Sequence, residues 1–187
     1  YMFDEIPVDL LGDIYEQYLG TILEETSKRV KLKSESGKRK KMGIFYTPAY
    51  IVSYIVKNTL NNYIKNKSID EILDMKILDP ACGSGSFLIE VFQQLINTIE
   101  ERLRNGEKTK SPQFSYFKDR LDLGQKSAIL ERCIYGIDLD EKAVELAQLN
   151  LLLKILDEET RETRKSILPN MKDNIRNGNS LIEDYQI

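Results

Sequence analysis

Residues 77–88 read Ile-Leu-Asp-Pro-Ala-Cys-Gly-Ser-Gly-Ser-Phe-Leu. A short apolar strand, Lys76-Ile77-Leu78-Asp79, ends on a carboxylate. A turn of small residues holds Gly83 and Gly85. A helical period then opens at Phe87 and runs through Leu88, Val91, Phe92, Leu95, Ile96, Ile99 and Leu103. The pattern repeats downstream. Residues 134–138 form a second apolar strand, and residues 141–156 a strongly apolar helix. A third strand and its loop fall within residues 174–182. Strand-turn-helix, twice over, followed by a strand predicts an α/β parallel sheet. Right-handed crossovers place its strands in the order 3-2-1.

Ahead of this unit, residues 8–26 carry Leu10, Leu11, Ile14, Tyr15, Tyr18, Leu19, Ile22 and Leu23 as one stripe, which predicts an amphipathic helix with Asp9 near its start. Residues 28–41 hold eight Lys or Arg against Glu35 alone, a local charge of +7 in a chain whose net charge is −3. This run reads as a solvated loop, and contact with DNA phosphates is its other reading. Thr47-Pro48 opens a helix, with Thr a good N-cap and Pro suited to the first helical position. Ile51, Val52, Ile55, Val56 and Leu60 supply its apolar face. Residues 104–125 look like an insertion or long connection, and residues 157–173 like a charged loop. The expected division is residues 1–42, an N-terminal helix and basic linker, and residues 43–187, a single α/β domain. A start at Tyr1-Met2 suggests a chain cut from something longer.

Composition removes several chemistries. The chain has no histidine, which excludes Ser-His-Asp and Cys-His nucleophile systems, His-ligated zinc and any imidazole proton transfer. Two cysteines, Cys82 and Cys133, make no disulfide framework, so a reducing compartment is expected. No apolar run is long enough to span a bilayer and no secretory signal pattern opens the chain. A cytoplasmic, membrane-free setting is therefore expected.

Three strand ends carry polar residues. In open α/β sheets the crevice at the carboxyl ends of the strands is where ligands bind. Gly83 and Gly85 let the backbone turn tightly and a ligand come close. The turn departs from G-x-G-x-x-G because Leu88 stands three residues after Gly85, and Asp79 suits a cation better than a phosphate. Asp138 can accept two hydrogen bonds from a ribose diol, while Asp140 reads as the cap of the next helix. Asn179, in Asn177-Gly178-Asn179-Ser180-Leu181, offers the donor and acceptor that match an adenine edge. Each has a plainer reading as turn or cap.

Four blocks together resemble the N6-adenine DNA methyltransferases, in particular the methylase region of type IIG restriction-modification enzymes. Gly43-Ile44-Phe45-Tyr46-Thr47-Pro48 resembles motif X, residues 79–88 motif I, residues 136–150 motif II and residues 177–181 motif III. The resemblance covers nearly the whole chain. It implies a partial Rossmann-like fold with an N-terminal helical extension, and S-adenosylmethionine as cofactor. It further implies that Tyr46, Thr47 and Pro48 lie against the methionine carboxylate, with Asp79 near the amino group. Ala81, Gly83 and Gly85 would line the backbone approach, Asp138 would hold the ribose, and Asn179 with Ser180 the adenine. Ile137, Leu139 and Leu181 either flank the adenine or pack in the core. Cys82 reads as a small buried side chain rather than a nucleophile. The implied substrate of the parent protein is double-stranded DNA.

The family's Asn/Asp-Pro-Pro-Tyr/Phe motif, which holds a flipped adenine, has no counterpart, since none of the five prolines adjoins another. The expectation is an N-terminal piece of a methylase region, inactive alone, with no catalytic residue of its own. Its first strand would be a free edge, so the piece would dimerise along it or be marginally stable. Other readings are a modification subunit of a type I or phage-exclusion system, a degenerate methyltransferase fold used for binding, or a protein-glutamine or RNA methyltransferase. A dinucleotide oxidoreductase ranks lower, because Asp138 lies far beyond the roughly 20-residue spacing that class requires.

Overall fold

The computed structural model describes residues 21–26, 29–34, 47–156 and 168–182. Residues 1–20, 27–28, 35–46, 157–167 and 183–187 lie outside it, so residues 8–20 of the helix expected over 8–26 go unplaced, as does Tyr46.

Residues 21–26 are not the end of a helix. Strand β1 (Thr21–Thr26) pairs antiparallel with β2 (Arg29–Ser34), from Thr21 opposite Ser34 to Thr26 opposite Arg29. Part of the expected basic loop is therefore strand. Val30, Leu32 and their lysine neighbours alternate with period 2, and the register sets Glu24 opposite Lys31.

The α/β unit follows. Helix α1 (Ala49–Ile64) buries Val52, Val56, Leu60 and Ile64, one residue per turn, and packs on α3 (Ser86–Arg104). It begins one residue later than expected. Pro48 is the cap residue, extended at φ −53 and ψ 141, and no side chain caps the helix. The Pro48 carbonyl accepts from Ile51 and Val52, so the capping role expected of Thr47 is not met. At the other end, the Arg102 guanidinium donates to the carbonyls of Ile64 (2.8 Å), Lys65 (3.2 Å) and Lys67, filling acceptors that a helix end leaves open.

Two helices lie where the sequence predicted none. Short α2 (Ile69–Leu73) is set by a capping box, Ser68 with Glu71. Within residues 104–125, Phe114 and Leu121 are buried, and α4 (Leu123–Cys133) starts from a second capping box, Asp122 with Gln125. The remaining elements are β3 (Ile77–Asp79), β4 (Ile134–Asp138), α5 (Glu141–Leu156) and β5 (Ile175–Asn177).

Strands β3, β4 and β5 form one parallel sheet in that spatial order, the expected 3-2-1 arrangement. The central strand pairs Gly136 with Asp79 on one side and with Ile175 on the other. Phe92, Leu95 and Ile99 of α3, Ile129 and Leu130 of α4, and Ala147, Leu151 and Ile155 of α5 are all buried in the core. No helix among the described residues is long and apolar enough to cross a membrane.

Candidate functional site

The carboxyl ends of the three strands point the same way, and the chain leaves each by a polar turn. After β3, Asp79 Oδ1 accepts from the Ala81 N–H at 3.1 Å, which starts the turn. The Cys82 N–H donates to the Ile137 carbonyl at 2.9 Å, extending the ladder to β4 by one bond. The Gly85 N–H closes back onto the Cys82 carbonyl at 2.8 Å. Gly85 has φ +91, and a Cβ there would stand 3.1 Å from the Ala147 Cβ of α5. A left-handed backbone pressed against a neighbouring helix is a place only glycine fits without strain.

Asp138 closes the second tip. Its Oδ2 accepts from the Gly83 N–H at 2.8 Å and its Oδ1 from the Asp140 N–H at 2.9 Å. The carboxylate therefore bridges the glycine turn and the start of α5. Asp140 Oδ1 accepts from the Lys142 N–H at 3.0 Å, as expected of a helix cap. At the third tip, the Gly178 N–H donates to the Asp138 carbonyl at 2.9 Å. The Asn177 side-chain amide donates to the carbonyls of Asp138 and Leu139 at 3.0 and 2.9 Å.

The three turns are thus knitted together around Asp138. Gly83 and Asp138 meet directly, and Asp79 lies close enough to Asp138 to feel its charge. Asn179 follows β5 but is exposed, and its Oδ1 accepts from the Leu181 N–H at 3.0 Å. Ser180 beside it is exposed as well. Thr47 and Pro48 lead into α1, half-buried, and no hydrogen bond joins Thr47 to the strand tips. Leu139 and Leu181 are 69% and 93% exposed, so neither packs in the core, whereas Ile137 is half-buried. The tips form a shelf of polar turns. Among the described residues, a cavity of about 200 Å³ lies among α3, α4 and α5, and a groove of about 500 Å³ between α1 and α3.

The electrostatics of the shelf are one-signed. Burial pushes the Asp79 carboxyl above the ordinary carboxylate range. The Ala81 N–H opposes that shift, and the negative charge of Asp138 reinforces it. The Cys82 thiol, buried and facing the same two acids, is pushed up to about 12. It stays protonated at neutral pH and is no nucleophile. Two neighbouring carboxylates with no cation bonded to them among the described residues suit a ligand that brings positive charge and hydroxyl donors.

Two further residues, to which the sequence reading gave no separate role, shape this site. Gly136, inside β4, has no room for a side chain, because a Cβ would lie 2.8 Å from Leu88 Cδ1 and 3.0 Å from Cys82 Sγ. Asn150, 1% exposed on α5, donates from Nδ2 to the Ser84 carbonyl at 3.1 Å. An amide within the apolar run 149–153 is the clue that could have found it.

The sequence matches the N-6 DNA Methylase family model over residues 7–185. The chain belongs to the N-6 DNA Methylase family. Among its relatives in that family is the Type II restriction enzyme and methyltransferase RM.Eco57I of Escherichia coli, 40% identical over 98% of this chain and 19% of that protein. RM.MjaORFECS2P of Methanocaldococcus jannaschii is 30% identical over 95% of this chain and 17% of its own length. The type IIL restriction-modification enzyme MmeI, solved in complex with DNA, aligns at a TM-score of 0.49 and 21% identity, covering 81% of this chain and 22% of that one. This family member therefore spans less than a fifth of the length of the two curated relatives. The family match runs through all four blocks read from the sequence.

Proposed function

We propose that the protein carrying this chain is a DNA adenine-N6 methyltransferase of a restriction-modification system, acting on double-stranded DNA in the cytoplasm. Residues 43–187 are its S-adenosylmethionine-binding part, preceded by a separate N-terminal segment. The observation that carries this reading is the 40% identity, over 98% of the chain, to an enzyme named as a type II restriction enzyme and methyltransferase.

The donor set of the strand tips fits the cofactor. When bound, S-adenosylmethionine supplies a methyl group on a positively charged sulfur. Asp79, whose proton affinity is raised by burial and by Asp138, gains a partner in the cofactor's ammonium. Asp138 accepts one backbone hydrogen bond on each oxygen, and each oxygen keeps a lone pair for a ribose hydroxyl. The exposed leucines, Leu139 and Leu181, offer apolar faces for a purine, and Asn179 an amide for its edge. Tyr46, Thr47 and Pro48 meet the methionine carboxylate, and Ala81, Gly83, Gly85 and Ser180 contribute through their backbones. None of these 187 residues forms the Asn/Asp-Pro-Pro-Tyr/Phe element that would hold the target adenine.

Calorimetric titration of the intact protein with S-adenosylmethionine tests the site. Asp138→Ala should weaken binding at least about tenfold while the protein stays folded, because two hydroxyl contacts to a charged acceptor are lost. Unchanged affinity would remove the ribose assignment. Tritium transfer from the labelled cofactor to DNA, with the label recovered on adenine N6, tests the reaction. Label found on another base or on protein would overturn it.

A further inference from the structure

We propose that Asn150 is a positioning residue that holds the Ser84–Gly85 peptide of the glycine turn in its cofactor-binding orientation. This rests on the reading of the strand tips given above. The Ser84 carbonyl lies one residue outside the α3 ladder, because the Gly85 carbonyl already takes the first helical bond, from Ile89 at 2.9 Å. A buried carbonyl just outside a helix needs a donor from elsewhere. Asn150 Nδ2 supplies it at 3.1 Å, from 66 residues away in sequence.

The same peptide is held at its other end, where the Gly85 N–H donates to the Cys82 carbonyl. Both ends need holding. Gly85 sits at φ +91, and glycine populates the negative-φ region as readily, so this peptide plane can turn over at little backbone cost. Turning it over would break both of these hydrogen bonds and reshape the turn at the strand tips. Ala147, one helical turn before Asn150 on the same face of α5, meets Gly85 and fixes how close the turn can lie. Helix α5 therefore sets both the distance and the orientation of the turn.

Asn150 is 1% exposed, and its Oδ1 has no hydrogen-bond partner among the described residues. Leucine would spare the cost of that unpaired oxygen, but it would also take away the donor that the buried Ser84 carbonyl uses. The residue present carries that cost, and the bond it gains goes to the turn.

The test compares S-adenosylmethionine with adenosine, which lacks the part of the cofactor that faces the turn. In the intact protein, Asn150→Leu should weaken S-adenosylmethionine about tenfold and adenosine by less than about twofold, the size expected for one lost buried hydrogen bond. Gln125→Ala, which removes a buried amide at the start of α4, should leave both affinities unchanged. Equal loss for both ligands, no loss for either, or the same loss in Gln125→Ala would overturn the proposal. If Asn150→Leu does not fold, the wild type decides by nuclear magnetic resonance. The Asn150 side-chain amide should exchange slowly with solvent, and more slowly with S-adenosylmethionine bound. Fast exchange unaffected by the cofactor would overturn it. A wild type that binds no S-adenosylmethionine overturns the proposed function and this inference with it, whereas a wild type that binds while Asn150→Leu binds equally well overturns the inference alone.

Discussion

Asp79 illustrates how a ligand site sets itself against stability. Its folded-state proton affinity is raised, so between the ordinary carboxylate range and the raised value the folded protein holds more protons than the unfolded chain. Stability therefore falls as pH rises through that window, and is recovered as pH falls below the raised value. Asp79→Asn keeps an acceptor for the Ala81 N–H and removes the charge, so it should raise the melting temperature of the ligand-free protein at neutral pH. The same change should weaken S-adenosylmethionine, and wild-type affinity should decline as Asp79 takes up its proton. A melting temperature that drops in Asp79→Asn would refute this account. Gly136 makes the complementary point about space. Gly136→Ala drives a methyl into Leu88 and Cys82, and should lower the unfolding free energy in denaturant titration by about 1–3 kcal/mol. Stability equal to wild type would mean that the turn yields. The two acids were legible in the sequence because a carboxylate at the end of an apolar strand has few structural uses. Gly136 was not, since the side chains that exclude a Cβ arrive from Leu88 and Cys82, about fifty residues away.

Helices in this chain are fixed by their ends as much as by their faces. Asp122 and Gln125 exchange backbone hydrogen bonds at 2.8 and 2.9 Å, and this box sets where α4 begins. Asp122→Ala should cost about 1 kcal/mol, read as a shift in the denaturation midpoint without a change of slope. A changed slope would signal that the segment before α4 had loosened too. The start signal was written in the sequence, but Gly124 in the first turn and the polar run before it masked the helix. The opposite error arose at Ile22 and Leu23. Adjacent apolar residues fit a helical stripe as well as a strand, and six residues are too few for periodicity to separate them. Antiparallel pairing with β2, the next segment of the chain, decided the matter. Where strand, turn and helix followed one another within a dozen residues, as around Asp79 and Asp138, the reading held because the local pattern allowed little else.

At the level of the whole sheet, β3 is an edge: it pairs with β4 alone among the described strands, and Leu78 in its middle is 55% exposed. A bare edge with an apolar residue tends to recruit another strand. The chain expressed by itself should associate with rising concentration in sedimentation experiments, and Leu78→Lys should suppress that association. A monomer at all concentrations in both forms would remove the edge as the cause. Strand order was legible because crossover handedness leaves few choices; the knitting of the three turns around Asp138 was not, because it depends on how far each turn reaches past its strand. The middle strand carries one last implication. The residue at its tip receives the loop from one neighbour on its carboxylate and the loop from the other on its carbonyl. Neither loop can come away without disturbing the same residue. Fluctuations at the two outer tips should accordingly rise and fall together, so that a molecule gripping one of them quiets the other at a distance.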